Sequence, residues 1–145
     1  MNFNIRIANA RDRNALEQFY NREGFDFQGL SLARAGSVSE TMFIIATADD
    51  VVVAALKLDI REDSEMGRVG IIRNFEIEDQ LESSEVGPDM LQEALSLARE
   101  RALRALETAV NVNREDVIQL YRETGFSEEG QEVLLRKDFK ARIFG

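Results

Sequence analysis

Two apolar runs rich in branched side chains, Met42 to Ala48 and Val51 to Ile60, are separated by nothing but Asp49-Asp50. Runs of this length and composition read as strands, and a two-residue polar connection forces them to lie side by side and antiparallel. A second connection, Arg61 to Arg68, carries charge and one glycine, and Val69 to Ile77 then forms another strand. The middle of the chain is therefore a three-stranded meander. Within it, Lys57 reads as a surface residue on its strand, and Asp59, Glu62 and Asp63 read equally as part of a turn or as the lining of a substrate groove.

The flanks supply helices. Phe3, Ile5 and Ile7 alternate with polar neighbours, the period of a half-buried strand. Arg11 to Glu23 follows with Ala15, Leu16, Phe19 and Tyr20 at helical spacing, and Gly24-Phe25 predicts a left-handed stop with an apolar clamp. Residues 26 to 40 contain Gly29, Gly36 and three serines and read as irregular. Gly87-Pro88 opens a long helix with Met90, Leu91, Ala94, Leu95, Ala98, Ala102 and Leu106 on one face. Thr108 to Val112 reads as a strand added by the helical crossover, Val117 to Tyr121 as another helix stopped at Gly125-Phe126, and Val133 to Phe139 as the last strand. YNREGF at Tyr20 to Phe25 echoes YRETGF at Tyr121 to Phe126. Nothing else repeats, so a shared helix-stop device accounts for the echo. The order predicts an α+β fold, a mixed and mainly antiparallel sheet flanked by helices, in one domain over 1–145.

Composition narrows the chemistry. The 145 residues include no cysteine and no histidine, which removes disulfides, thiolate nucleophiles, ordinary zinc sites and every triad built on imidazole. Eighteen basic against 27 acidic side chains give a formal charge of -9, which repels nucleic acid and anionic membranes. No cationic segment followed by an apolar run opens the chain, and no stretch approaches the roughly 18 apolar residues of a membrane helix. A soluble cytoplasmic protein is the expectation.

The element order, the segment Leu120-Tyr121-Arg122-Glu123-Thr124-Gly125-Phe126 and the closing Leu135-Arg136-Lys137-Asp138-Phe139 resemble the GNAT superfamily of acyl-CoA-dependent N-acyltransferases. The resemblance implies acetyl-CoA as the donor and a small-molecule or peptide amine as the acceptor. It implies that the pantetheine arm slots beside the fourth strand, with Ile77 as the backbone contact to the acyl carbonyl, and that Asn113 belongs to the polar turn after the fifth. Pyrophosphate would meet the loop leading into the long helix, here Glu82-Ser83-Ser84-Glu85-Val86-Gly87, where backbone N–H groups converge on an anion. Ser83, Ser84, Glu85, Val86 and Gly87 are thus the implied cofactor-binding residues. Two departures stand out: Glu85 replaces the family's first glycine, and Glu82 stands where the family has Gln or Arg.

With no histidine, acid-base work falls to carboxylates and tyrosine. The resemblance implies Glu76 or Glu78 as the base that takes the amine proton and Tyr121 as the acid that protonates the departing thiolate. Glu76 and Glu78 equally fit the solvated face of a half-buried strand, and Tyr121 a core aromatic. Seven acids, Glu76, Glu78, Asp79, Glu82, Glu85, Asp89 and Glu93, lie between Arg73 and Arg99 with no lysine or arginine among them. A carboxylate about 6 Å from a phosphate charge, at an effective dielectric of about 20, opposes it by roughly 3 kcal/mol before salt screening. An acidic groove suits a cationic acceptor. The alternatives are a non-catalytic module of the same fold that has lost acyl-CoA binding, and a homodimer paired through the exposed sheet edge.

Overall fold

The computed structural model describes residues 2–27, 38–65 and 67–128, in two compact units divided after Thr108. In the first unit β1 (Asn4–Ile7), β2 (Val38–Ala48), β3 (Val51–Asp63), β4 (Gly67–Ile77) and β5 (Ala105–Thr108) form one sheet in sequential order. The first four strands are antiparallel, and β5 runs parallel to β4 after the crossover through a helix. Among the described residues of this unit the α-helices are α1 (Arg13–Arg22) and α2 (Val86–Glu100). The second unit contains α3 (Glu115–Glu123). The mainly antiparallel α+β reading is thereby borne out.

The β2–β3 hairpin turns as the sequence requires. Asp49 and Asp50 both take positive φ, 51° and 63°, the conformation of a type I′ turn whose twist matches that of the strands. The β3–β4 connection is tighter than expected. The strands run on to Asp63 and from Gly67, because the Asp63 carboxylate accepts the Glu65 amide (2.8 Å) and Gly67 takes φ 90°. Val52 to Ile60 are all buried, so β3 is covered on both faces. On one face Leu16, Phe19 and Tyr20 of α1 join Phe27, Ile45, Val52 and Ala55 in a single apolar cluster. α2 contributes Met90, Leu91, Ala94 and Leu97 to the core and lies against β1, β2, β4 and β5.

β1 departs slightly from its alternation. Ile7 is exposed while Arg6 is half-buried, because the Arg6 guanidinium forks onto both oxygens of Asp12 (2.6 and 2.8 Å). That fork, and then the Asn9 amide bonded to the same carboxylate, hold the Asp12 acid down at about 2. The helix expected from Arg11 accordingly begins as a 3-10 turn, Ala10–Asp12.

The three α-helices among the described residues end in one hydrogen-bonded motif. Gly24 (φ 93°) and Gly125 (φ 102°) close α1 and α3, with the Phe25 amide bonded to the Tyr20 carbonyl (2.9 Å) and the Phe126 amide to that of Tyr121 (3.0 Å). This common terminus is the physical content of the YNREGF and YRETGF echo. α2 ends in the same way without glycine. Ala102 takes φ 57°, and the Leu103 amide bonds to the Ala98 carbonyl (2.9 Å). The expected helix therefore stops short, Ala102 and Leu106 leave its face, and the strand falls at Ala105–Thr108 rather than Thr108 to Val112. Leu103 and Leu106 instead fill the space above Gly70, where a Cβ would come within 2.9 Å of both side chains. The expected strand Val133 to Phe139 and residues 28–37 of the irregular segment lie outside the described residues.

A left-handed alanine costs about 1 kcal/mol relative to glycine, only partly offset by glycine's greater freedom in the unfolded chain. Ala102→Gly is therefore expected to raise stability by roughly 0.5 kcal/mol, read as a higher urea midpoint at unchanged slope.

Candidate functional site

The site candidates of the first unit follow one another along the chain, from the C-terminal half of β4 into the start of α2. β4 does not run regularly there. Arg73 pairs with Lys57 and Glu76 with Ala55, so β4 has one residue more than β3 in this interval, and Asn74 absorbs it at φ 52°. The result is a β-bulge, a device that re-aims side chains and bends a strand. Asparagine is among the few residues that take this conformation readily.

The bulge is braced from α1. Tyr20, fully buried, donates its phenol hydrogen to the Asn74 carbonyl at 2.7 Å. Its ring lies among Phe19, Phe25, Phe27 and Phe43, with centroids 5.4 to 6.0 Å away. Burial, and then the charge of Glu76, push its ionisation far up, so the phenol keeps its proton to give. The parallel ladder with β5 covers only Val69 to Ile72, so the edge of β4 from Arg73 onward continues past the last β5 pair.

Glu76 and Ile77 are half-buried strand residues, and the register places Glu76 on the face of Ala55, against α1. Glu78 is not on the strand. β4 ends at Ile77, and the Glu78 amide bonds to the Val53 carbonyl (3.0 Å) as the chain enters a 3-10 turn, Asp79–Leu81. The Glu78 carboxylate accepts from Gln80 (2.9 Å) and lies 3.9 Å from Arg22 on α1. Burial, then Asp79 and Glu78, raise the acid of Glu23 at the end of α1, so these carboxylates share one acidic surface.

The loop into α2 is built by Ser84, whose hydroxyl donates to the Leu81 carbonyl (2.6 Å) and accepts the Val86 amide (3.3 Å). Ser83 and Glu85 are exposed, and Glu85 precedes the helix without capping it. Val86 and Gly87 are buried in the first turn, and Pro88 carries no amide hydrogen. In the first turn Ser84 takes the Val86 amide, Pro88 has none and the Asp89 amide bonds to the Glu85 carbonyl (3.0 Å), so Gly87 is the position whose amide none of these accounts for.

The second unit holds the remaining candidates. The Asn113 amide bonds to the Asn111 side-chain oxygen (2.8 Å) in an exposed turn before α3. Tyr121 is buried on α3, edge-on to Phe126 at 5.0 Å.

Two sequence readings are corrected. Lys57 is no surface residue: it is 2% exposed, 3.9 Å from Asp59. Asp59 belongs to no turn. It is 1% exposed in mid-strand, accepts the Thr41 hydroxyl (2.7 Å) and meets Arg73 Nε (3.1 Å). The signal was present, since charges at i and i+2 in an apolar strand share one face.

Removing the Tyr20 hydroxyl leaves the bulge carbonyl without its partner, at a cost of about 1 to 3 kcal/mol. Tyr20→Phe is therefore expected to lower the urea midpoint, with faster amide hydrogen exchange concentrated around Asn74.

Comparison with known proteins places the fold. No curated protein matches the chain. Solved structures share its fold: AAC(6')-Iy, in complex with the bisubstrate analogue CoA-S-monomethyl-acetylneamine, is 15% identical over 96% of this chain and 100% of its own, with a TM-score of 0.73. A ribosomal-protein-alanine N-acetyltransferase from Brucella melitensis biovar Abortus 2308 is 15% identical over 94% and 100%, with a TM-score of 0.74. A transcriptional regulator from Bacillus halodurans is 15% identical over 95% and 100%, with a TM-score of 0.73. At these identities the likeness is one of fold. The sequence profile of the Acetyltransferase (GNAT) family matches residues 7–126, from the end of β1 to the Gly125-Phe126 stop, and the chain belongs to that family.

Proposed function

We propose that the chain, acting as one domain, transfers an acetyl group from acetyl-CoA to a primary amine. The observation that carries this reading is the braced bulge at Asn74, which prepares a strand edge running past the β5 ladder and leading into the start of a helix. An extended arm with amide groups suits such an edge, and a helix start suits its anionic end. The solved relatives named above support the donor class, one of them having been crystallised with a CoA-linked analogue. In this reading Ile77 offers backbone to the acyl group, and Ser83 to Gly87 form the anion-facing loop. Glu76 takes the proton released as the amine nitrogen bonds to the acyl carbon, and Glu78 keeps the approach negative. The C–S bond breaks and the thiolate receives a proton; the family resemblance assigns that proton transfer to Tyr121 and assigns Asn113 to cofactor binding.

Replacing a base or acid of this kind lowers turnover by about 10² to 10⁴. Glu76→Gln and Tyr121→Phe are each expected to lower kcat at least tenfold in an acetyl-transfer assay, with turnover taken per mole of folded protein. Full turnover in either variant would remove that residue's role.

A second reading, a binding module of the same fold that does not hold acyl-CoA, is favoured by the exposed Glu85 at the helix start. One titration separates the two. A ligand at 100 times its Kd stabilises a fold by about 2.7 kcal/mol, so acetyl-CoA should raise Tm. Glu85→Gly should enlarge the shift, and so should molar KCl, since the screening length falls from about 10 Å at 0.1 M to about 3 Å at 1 M. No shift at millimolar acetyl-CoA in either salt would select the binding module.

A further inference from the structure

Asp59 is the most deeply buried carboxylate among the described residues, and both its oxygens are engaged, one by the Thr41 hydroxyl and the other by Arg73 Nε. Burying such charges is expensive, and a hydrophobic replacement would often stabilise a sheet as well or better. What the arrangement provides is a fixed arginine. Arg73 spends only its Nε hydrogen on Asp59, and its side chain is 42% exposed. The two terminal amino groups, with four N–H donors between them, have no partner among the described residues. The stem is held from within and the planar fork faces outward, so little freedom is lost when it binds.

The bulge sets what stands beside it. Arg73 lies opposite Lys57 and Glu76 opposite Ala55, so both side chains project from the α1 face, two β3 positions or about 7 Å apart. In a regular strand Glu76, three residues on from Arg73, would project from the other face; the bulge at Asn74 returns it to the same one. A guanidinium and a carboxylate at that spacing complement a zwitterion. A carboxylate able to accept several hydrogen bonds receives the ammonium, and the outward fork takes a carboxylate in a bidentate pair.

We propose that the acceptor is a free amino acid, whose carboxylate is held by Arg73 while its amine faces Glu76, with Asp59 and Thr41 as positioning residues. This rests on the reading of Glu76 as the group facing the amine. It narrows the acceptor from any primary amine to one whose amine and carboxylate lie within a few bonds.

The test is equilibrium binding by calorimetry, with each common amino acid and its carboxamide, in the absence of any acyl donor. A charge-assisted fork contributes roughly ten- to a hundredfold, so at least one amino acid should bind that much tighter than its own amide. Arg73→Gln should bring the ratio close to one and Arg73→Lys should restore part of it. Thr41→Val, which frees Asp59 without removing a charge, should reduce the ratio several-fold, and in transfer assays should raise KM for the acid with kcat little changed. Equal affinities for acid and amide across the panel, or a preference unmoved in Arg73→Gln, would overturn the proposal. Discrimination that persists in a chain unable to bind acetyl-CoA would uphold it and count against the transfer reading alone.

Discussion

A single hydrogen bond, from the phenol of Tyr20 to the carbonyl of Asn74, ties the first helix to the strand that carries the candidate site. Its surroundings make it strong. The phenol is fully buried in an aromatic cage, and the bulge it braces is a conformation that an unbraced strand would relax. From that one point follow the orientation of Glu76 toward α1 and the placing of Arg73 and Glu76 on a common face. The cage also explains why α1 packs where it does, since Phe19 and Tyr20 are its most buried residues and sit against Ile45 and Ala55.

Charge is divided along α2. Acids gather at its start, where Glu85 and Asp89 favour the partial positive charge of a helix N-terminus. Cations gather at its end, where one terminal nitrogen of Arg101 donates to both oxygens of Glu40 (2.7 and 2.8 Å) and Arg68 donates to the Arg101 carbonyl (3.0 Å). This polarity suits the helix and opposes an anionic ligand at its start. Helix stability and ligand attraction thus make opposite demands on the same residues, and the chain answers with a buried glycine amide and few other donors at that end.

Much of the fold was legible because the local signals agree. The Asp49-Asp50 turn, the glycine-aromatic stops and the Gly87-Pro88 helix start each act through backbone conformations that few other residues permit. The errors have equally physical causes. The end of α2 was misread because the left-handed residue is Ala102, which carries no sequence mark, and because Leu106 keeps a helical spacing while packing above Gly70. Lys57 and Asp59 were misplaced because charge predicts exposure only until a cross-strand partner makes burial tolerable. Glu78 was put on the strand because nothing in the run of residues announces the 3-10 turn that begins at Asp79.

The residues taken alone determined the class of fold and the lack of imidazole and thiol side chains, and they pointed to the stretch from Glu76 to Gly87 as the candidate for a site. These depend on composition and on local backbone preference, which a sequence displays directly. Only the tertiary structure decided that β4 bulges at Asn74, that Glu76 faces α1, and that Arg73 is held on a buried Asp59 with its fork turned outward. Each of these turns on register between strands, and register is set by pairing partners far apart in the chain.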